Sequence, residues 1–236
     1  MADSEGDPNT SQEYSNALKA LYCILLRYWF LGEEREKMAQ TMDSLIPHRH
    51  VEDRFRDNPD RVAAIKWARD LMVSRDFVIF DSETTGLSSP VDFVEVAVVG
   101  STGRTLFDSL LKPSCRIEAA ARAVHGHSAK SLSGAPHFSE VYPDLLEVLY
   151  QRRVIVFNAS YDRRVWDTVV RHLGARGALA GELPRWECAM RQYARFVGEP
   201  SKRGGSYRPQ KLPGGDHTAL GDALATLHLI EGMAAR

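Results

Sequence analysis

A short apolar run that ends directly in two acidic residues constrains this chain more than any other feature. Residues 77–80 read Phe-Val-Ile-Phe, which is typical of a buried strand, and Asp81, Ser82 and Glu83 follow at once. Because side chains alternate across an extended backbone, the two carboxylates point to the same side and can share a hard cation through oxygen ligands. Taken alone, the pattern is also compatible with polar residues that only end a strand.

A second apolar run leads to another acid. Residues 154–157 read Val-Ile-Val-Phe, and Asp162 follows in the first turn of a predicted helix. An acid at this position is favoured by the helix dipole even without a function. Parallel neighbouring strands, however, bring their carboxyl ends together, and open α/β sheets build their sites there. The sequence therefore predicts that Asp162 approaches the first pair of carboxylates.

The third chemical element opens the last predicted helix, which continues to about Met233. His217 precedes this helix and Asp222 lies in its first turns, flanked by Ala219 and Ala223. A carboxylate on the packed side of a helix is costly unless a cation or another partner compensates it. A histidine by itself is more often structural than catalytic. We therefore consider His217 a candidate catalytic residue only together with the neighbouring Asp222.

The order of the predicted elements indicates an α/β protein, since strands alternate with helices from Phe77 onward. The predicted strands span 77–80, 93–99, 105–111 and 154–157. The predicted helices span about 58–72, 139–149, 161–173 and 219–233. A loop rich in glycine, proline and basic residues, 199–215, separates the last helix from the rest.

Composition narrows the environment and the partners. Net charge is -1, but residues 151–236 hold 14 Lys and Arg against 8 Asp and Glu, which favours contact between this part and a polyanion. The three cysteines lack any paired or metal-ligand spacing, which favours a reducing compartment. The strongest apolar stretch, 20–31, is interrupted by Arg27 and is too short to span a membrane. We therefore expect a soluble, cytoplasmic protein with no membrane partner.

Three regions are predicted along the chain. Residues 1–12 are acidic and polar and are expected to be a disordered tail. Residues 13–74 are expected to form a helical N-terminal extension, and residues 75–236 the α/β domain. The helix predicted around 18–31 is apolar on several sides, so it either packs within its own domain or forms an interface with a second copy or another protein.

Together the three elements resemble the DEDDh branch of the DnaQ-like 3'-5' exonucleases, similar to the exonuclease domains of the polymerase III epsilon type. The family pattern is Asp-x-Glu, then an Asp in a second block, then His-x-x-x-x-Asp. All five positions are matched, by Asp81, Glu83, Asp162, His217 and Asp222. The resemblance extends over about 160 residues and implies an RNase H-like fold, in which helices flank a central mixed β-sheet, with residues 75–236 as the exonuclease domain.

The resemblance also implies a mechanism. Four carboxylates would hold two divalent metal ions, Mg²⁺ or Mn²⁺, with Asp81 bridging both, Glu83 and Asp222 completing one site, and Asp162 assisting through water. His217 would be the general base that takes a proton from the attacking water. The expected substrate is the 3' end of single-stranded DNA or RNA, and the expected products are nucleoside 5'-monophosphates.

Further positions match substrate-binding residues of the family or are interpreted from their chemistry. Residues Thr84, Thr85 and Gly86 would contact the terminal sugar, and Leu87 would wedge against the last bases. The second block would contribute Asn158 and Tyr161, with Arg164 near a phosphate. Tyr207, in the basic loop, would stack on a base, unless this loop is only a solvated surface segment.

The sequence thus predicts a metal-dependent 3'-5' exonuclease that favours single-stranded DNA. An exonuclease specialised for RNA is the nearest alternative, because a metal site does not distinguish the two sugars. A binding or scaffold protein that retains the fold without catalysis is an alternative of a different class. Ser82 and Phe157 depart from residues common in proofreading members, which weakens a replicative role without removing a metal ligand.

Overall fold

The computed structural model of the protein describes residues 58–174, 185–202 and 204–236. The predicted tail at 1–12 and the apolar helix at 18–31, with the interface expected of it, lie outside these residues. Within the described part, no helix combines the length and the apolar character that a membrane crossing requires.

Five strands form one mixed sheet. They are β1 (Phe77–Thr84), β2 (Phe93–Gly100), β3 (Thr105–Leu110), β4 (Arg153–Val156) and β5 (Arg185–Cys188). The order across the sheet is β3-β2-β1-β4-β5, in which β1, β2 and β3 pair antiparallel while β4 and β5 run parallel to β1. This arrangement confirms the predicted α/β class and the central mixed sheet of the RNase H-like fold.

Helices cover both faces of the sheet. They are α1 (Pro59–Ser74), α2 (Ala119–His125), α3 (Phe138–Leu149), α4 (Ala159–His172), α5 (Ala189–Val197) and α6 (Ala219–Ala234). Because side chains alternate along β1, Val78 and Phe80 pack in the core that α3 and α4 cover, whereas Phe77 and Ile79 pack in the core under α1, α5 and α6. The central strand is therefore buried on both faces at its start.

Helix α1 begins at a capped terminus and packs in the second of these cores. The side chain of Asn58 accepts a hydrogen bond from the backbone N–H of Asp60, and proline stands in the first turn. On the inner face of α1, the side chains of Ala64, Ala68 and Leu71 are completely buried. A division of the chain at residue 75 stays a prediction, but α1 shares its core with the sheet.

Replacement of Leu71 by alanine tests this packing. We expect the free energy of unfolding to fall by about 2–5 kcal/mol, because the substitution leaves a cavity where a fully buried side chain was packed. Val73, which lies in the same helix and is 85% exposed, provides the control, and Val73→Ala should change the free energy by less than about 0.5 kcal/mol. Urea unfolding followed by circular dichroism measures both. Equal effects of the two substitutions would contradict the burial of α1.

Candidate active site

The end of β1 divides its side chains between the two faces of the sheet. Asp81 and Glu83 have the same parity as Ile79 and so point toward the side covered by α6. Ser82 and Thr84 have the opposite parity, and each of them hydrogen-bonds to a side chain of α4. β1 extends beyond the predicted 77–80, so both acids belong to the strand itself, which fixes their common direction.

Asp162 reaches the site from the first turn of α4. Since β4 runs parallel to β1 and ends at Val156, α4 begins beside the end of β1. The side chain of Asp162 is buried, and Ser82 Oγ donates a hydrogen bond to its Oδ1 at 2.7 Å. Burial raises the pKa of Asp162 to about 7, and the hydrogen bond from Ser82 opposes this rise.

The start of α6 places His217 and Asp222 together. The backbone N–H groups of Asp216 and His217 donate to Asp222 Oδ1 at 2.9 and 3.2 Å. His217 has a φ of 65°, in the left-handed region that side chains rarely adopt, and Asp216 holds the following turn by accepting two hydrogen bonds from Thr218. Gly215 is also constrained, since a Cβ there would lie 2.9 Å from Asp222 Oδ1.

These elements bring the predicted acids and the histidine into one cluster. Ligand atoms of Glu83, His217 and Asp222 all lie within 4.8 Å of one another. Burial, followed by the charges of Asp162, Asp222 and the other nearby acids, raises the pKa of Asp81 well above its ordinary value. Burial and the same kind of repulsion raise the pKa of Glu83 to about 8, and burial also raises the pKa of Asp222.

The cluster has the chemistry of a divalent-cation site. Carboxylate oxygens that are half-buried and close together repel one another, and a hard cation such as Mg²⁺ or Mn²⁺ removes this repulsion. The donors that lie within reach of one ion are the carboxylates of Glu83 and Asp222 and the imidazole of His217. The charges of Asp81 and Asp162 interact with this group, and a set without cysteine fits such ions better than a softer metal.

Several residues predicted to bind substrate instead contact one another within the described structure. Tyr161 Oη donates to the backbone oxygen of Gly86 at 2.6 Å and also hydrogen-bonds to Thr84 Oγ1. Arg164 donates to the backbone oxygen of Leu87 at 2.9 Å. Leu87 itself is 73% exposed. The α4 side chains therefore hold the turn at 84–87 in place and leave the leucine projecting into solvent.

The remaining predicted contacts are more dispersed. The side chain of Thr85 is buried, and its Oγ1 accepts a hydrogen bond from the backbone of Asp92. Asn158 is exposed and stands at the N-cap position of α4. Tyr207 Oη donates to Asp60 Oδ2 at 2.9 Å, so it attaches the loop to the start of α1. Substrate binding by these residues stays a prediction.

The structure adds one pair of residues that the sequence analysis did not assign to the site. Glu95 lies opposite Glu83 in the pairing of β1 with β2, and its side chain is buried. His127 Nε2 lies 2.9 Å from Glu95 Oε2, which gives this acid a partner outside the cluster. An acid within the otherwise apolar strand 93–99 is the sequence signal that could have identified it.

The raised pKa values predict that the metal-free protein loses stability as the pH rises. Metal ions are expected to restore the lost stability. The pKa of Glu83 rises from 4.5 to about 8, so between these values the folded protein holds more protons than the unfolded chain. The stability of the metal-free protein therefore falls as pH rises through this window. We expect the metal-free Tm to be at least about 3 °C lower at pH 8 than at pH 5, and Mg²⁺ or Mn²⁺ to restore it at pH 8.

Differential scanning fluorimetry in EDTA and in metal, with Glu83→Gln as the comparison, measures this effect. The variant should lose part of the pH dependence and most of the response to metal, because it carries one carboxylate fewer. A metal-free Tm that rises steadily from pH 5 to pH 8 would contradict the electrostatic repulsion described for the cluster.

The fold and the site together are those of a nuclease. The ends of the parallel strands β1 and β4 and the start of the last helix bring carboxylates together, with a histidine beside them. The RNase_T family, described as Exonuclease, matches residues 78–230. The uncharacterized exonuclease CP81 of Escherichia phage 186 is 30% identical over 184 residues, which cover 72% of this chain and 92% of the phage protein.

Two further proteins are similar to this chain over part of its length. A DNA polymerase III subunit epsilon-like protein of Rhodobacter capsulatus is 30% identical over 188 residues, which are 68% of this chain and only 24% of that protein. The structure of Exonuclease X in complex with 5' overhanging duplex DNA matches with 24% identity and a TM-score of 0.47, over 67% of this chain and 91% of that one. The chain belongs to the RNase_T exonuclease family, and the predicted membership of the DnaQ-like exonucleases is confirmed.

Proposed function

We propose that this protein removes nucleotides one at a time from the 3' end of single-stranded nucleic acid, with DNA favoured, and releases nucleoside 5'-monophosphates. The observation that carries the proposal is the cluster at the end of β1. It combines four carboxylates with raised pKa values and one histidine beside Glu83 and Asp222. Burial and repulsion by neighbouring acids raise the pKa values of Asp81 and Glu83, and burial is the main cause for Asp162 and Asp222. We assign residues 75–236 to the exonuclease domain.

The four carboxylates of Asp81, Glu83, Asp162 and Asp222 would hold two divalent ions, Mg²⁺ or Mn²⁺. Such ions, when bound, stabilise the attacking and the leaving oxygen of an in-line displacement at phosphorus. Asp81 occupies the central position, since its pKa responds to the charges of all three other acids. Asp162 is oriented by Ser82, which keeps one carboxylate oxygen engaged and the other available.

His217 would act as the general base. It is exposed and lies beside Glu83 and Asp222, where water can reach it. Removal of a proton from the attacking water lets the oxygen form a bond to phosphorus as the bond to the 3' oxygen of the neighbouring nucleotide breaks. The hydrogen bonds that Asp222 accepts from the backbone N–H groups of Asp216 and His217 hold His217 near the carboxylates.

The turn at 84–87 supports the preference for a 3' end. It begins at the end of β1, the strand that carries Asp81 and Glu83, and Tyr161 and Arg164 hydrogen-bond to its backbone. Exposed Leu87 would pack against the last base and separate it from its neighbours, which favours an unpaired end. Asn158, Tyr161 and Arg164 stand at the adjacent start of α4, where the terminal phosphate would lie.

The test uses a 20-nucleotide strand labelled at either end, as DNA and as RNA, with Mg²⁺, Mn²⁺ or EDTA. The proposal expects 5'-labelled strands to shorten as a ladder and 3'-labelled strands to release a labelled mononucleotide at once, both only with metal. Faster degradation of RNA would favour the RNA-specific alternative, in which the 2'-hydroxyl is recognised. Intact strands under every metal condition would favour a binding or scaffold protein. Shortening from the 5' end would contradict the proposed polarity.

A further inference from the structure

A second concave site lies between β3 and α3. The segment that connects these elements folds around a cavity of about 640 Å³. Apolar side chains contribute to its wall, and three basic residues stand along it. The residues that matter here are Lys112, Cys115, Arg116, Ile117, Arg122 and Ala123.

Among the described residues, no carboxylate neutralises the basic side chains of this cavity. Lys112, Arg116 and Arg122 are exposed, and none of them forms an ion pair with a described carboxylate. The nearest acid in sequence, Glu118, is directed elsewhere: its carboxyl carbon would lie 2.2 Å from a Cβ placed on Gly86. Three basic side chains around one cavity attract a polyanion.

The cavity is joined to the turn that we assign to the terminal nucleotide. Cys115 lines the cavity, and its Sγ lies 3.3 Å from Thr85 Oγ1. The backbone N–H of Glu118 donates to the backbone oxygen of Thr85 at 2.7 Å. One short segment therefore has the cavity on one side and the 84–87 turn on the other. The cavity therefore lies next to the turn that we assign to the terminal nucleotide.

We propose that the cavity formed by Lys112, Arg116 and Arg122 binds phosphates of the substrate strand that lie a few nucleotides inside its 3' end. The basic side chains contact the phosphates, and Ile117 and Ala123 provide an apolar surface for sugar or base. This inference rests on the proposed function for the nature of the strand. The cavity therefore increases the affinity for long strands. It does not affect the affinity for a very short oligonucleotide, because one bound at the turn does not reach the cavity.

The test measures binding separately from cleavage. Fluorescence anisotropy in EDTA follows a 5'-labelled single strand of 20 nucleotides, with an unlabelled trinucleotide as competitor. The test variant is Arg116→Glu/Arg122→Glu. The control, Arg104→Glu/Arg171→Glu, changes net charge equally, but Arg104 lies in the turn after β2, at the opposite end of the strands, and Arg171 lies in the last turn of α4.

We expect the test variant to bind the 20-nucleotide strand at least about fivefold more weakly and its salt dependence to fall by about 1.4 in log–log slope, for two lost phosphate contacts. Competition by the trinucleotide should not change. The control variant should weaken binding less than about twofold, since its charges act only through the general field.

Three outcomes would overturn the proposal: equal weakening by the two double variants, an equal loss of competition by the trinucleotide, or a wild-type protein that does not bind the strand. The thermal unfolding of each variant confirms that it is folded, and Arg116→Gln/Arg122→Gln repeats the test without reversed charge. Cleavage with Mg²⁺ is scored separately. Wild-type protein that binds the strand through these arginines but never cleaves it would contradict the exonuclease function while supporting the cavity.

Discussion

Replacement of Asp81 by alanine is expected to reduce kcat/KM for strand shortening by at least about a thousandfold, which corresponds to several kcal/mol of lost transition-state stabilisation. Asp81 lies on the central strand, and the charges of Asp162, Asp222 and Glu83 all act on its carboxyl group. Loss of this carboxylate removes a donor on which the charges of the three other acids act, so divalent ions would be bound poorly. Initial rates across a range of Mg²⁺ concentrations measure the effect.

A surface acid provides the control for Asp81. Asp144 is exposed on α3, outside the cluster, and Asp144→Ala should leave kcat/KM within about twofold of the wild-type value. The metal-free Asp81→Ala protein should also have a higher Tm at pH 8 than the wild type, because it carries less mutual repulsion. A variant that is folded and retains wild-type activity would exclude the assigned metal centre.

Replacement of His217 by alanine is expected to lower kcat by about a hundredfold to ten-thousandfold, the usual contribution of a general base. KM for the strand should change little, because the side chain is exposed at the edge of the cluster and does not build the 84–87 turn. His172 is also exposed, at the far end of α4, and His172→Ala should leave kcat unchanged within about twofold. Single-turnover rates separate the chemical step from product release.

The same geometry permits a different role for His217, and stability measurements distinguish the two. Its ring lies close enough to Glu83 and Asp222 for the three side chains to bind one ion together. If His217 is a ligand, His217→Ala loses the rise in Tm that metal produces. If it is the base, the variant keeps that rise while kcat falls. Retention of both would contradict any direct role in the reaction.

The sequence was sufficient to predict the elements that are long, apolar or chemically distinctive. β1, β2 and α4 were predicted within a few residues, because apolar runs and helical periodicity mark them. Strand β5 was not predicted, since it has only four residues, Arg185–Cys188, and two of them are charged. Its pairing depends on Arg153 of β4, which forms an ion pair with Glu187 at 2.7 Å, a contact between residues distant in the chain.

At the candidate site, too, the sequence predicted the motif residues but not the contacts that depend on tertiary packing. Motif spacing singled out Glu83, His217 and Asp222, whose ligand atoms the structure brings together, but not the surroundings that raise the pKa values of the acids. The roles assigned to the five motif residues stay predictions. Glu95 lies in the apolar strand predicted at 93–99, and only the register of β1 with β2 places it opposite Glu83. The bonds of Tyr207 to α1 also depend on tertiary packing, across about 150 residues of chain, which no local pattern encodes.

The alternating side chains of β1 have an evolutionary consequence. Odd positions supply the carboxylates, whereas Ser82 and Thr84 at the even positions connect the strand to α4. The even residues, and the contacts of the strand with α4, can therefore change in evolution while the odd residues keep the carboxylates on one face. Insertion of a single residue between Asp81 and Glu83 would instead place the two carboxylates on opposite faces of the strand, so this strand tolerates substitution at its even positions but not insertion between its acids.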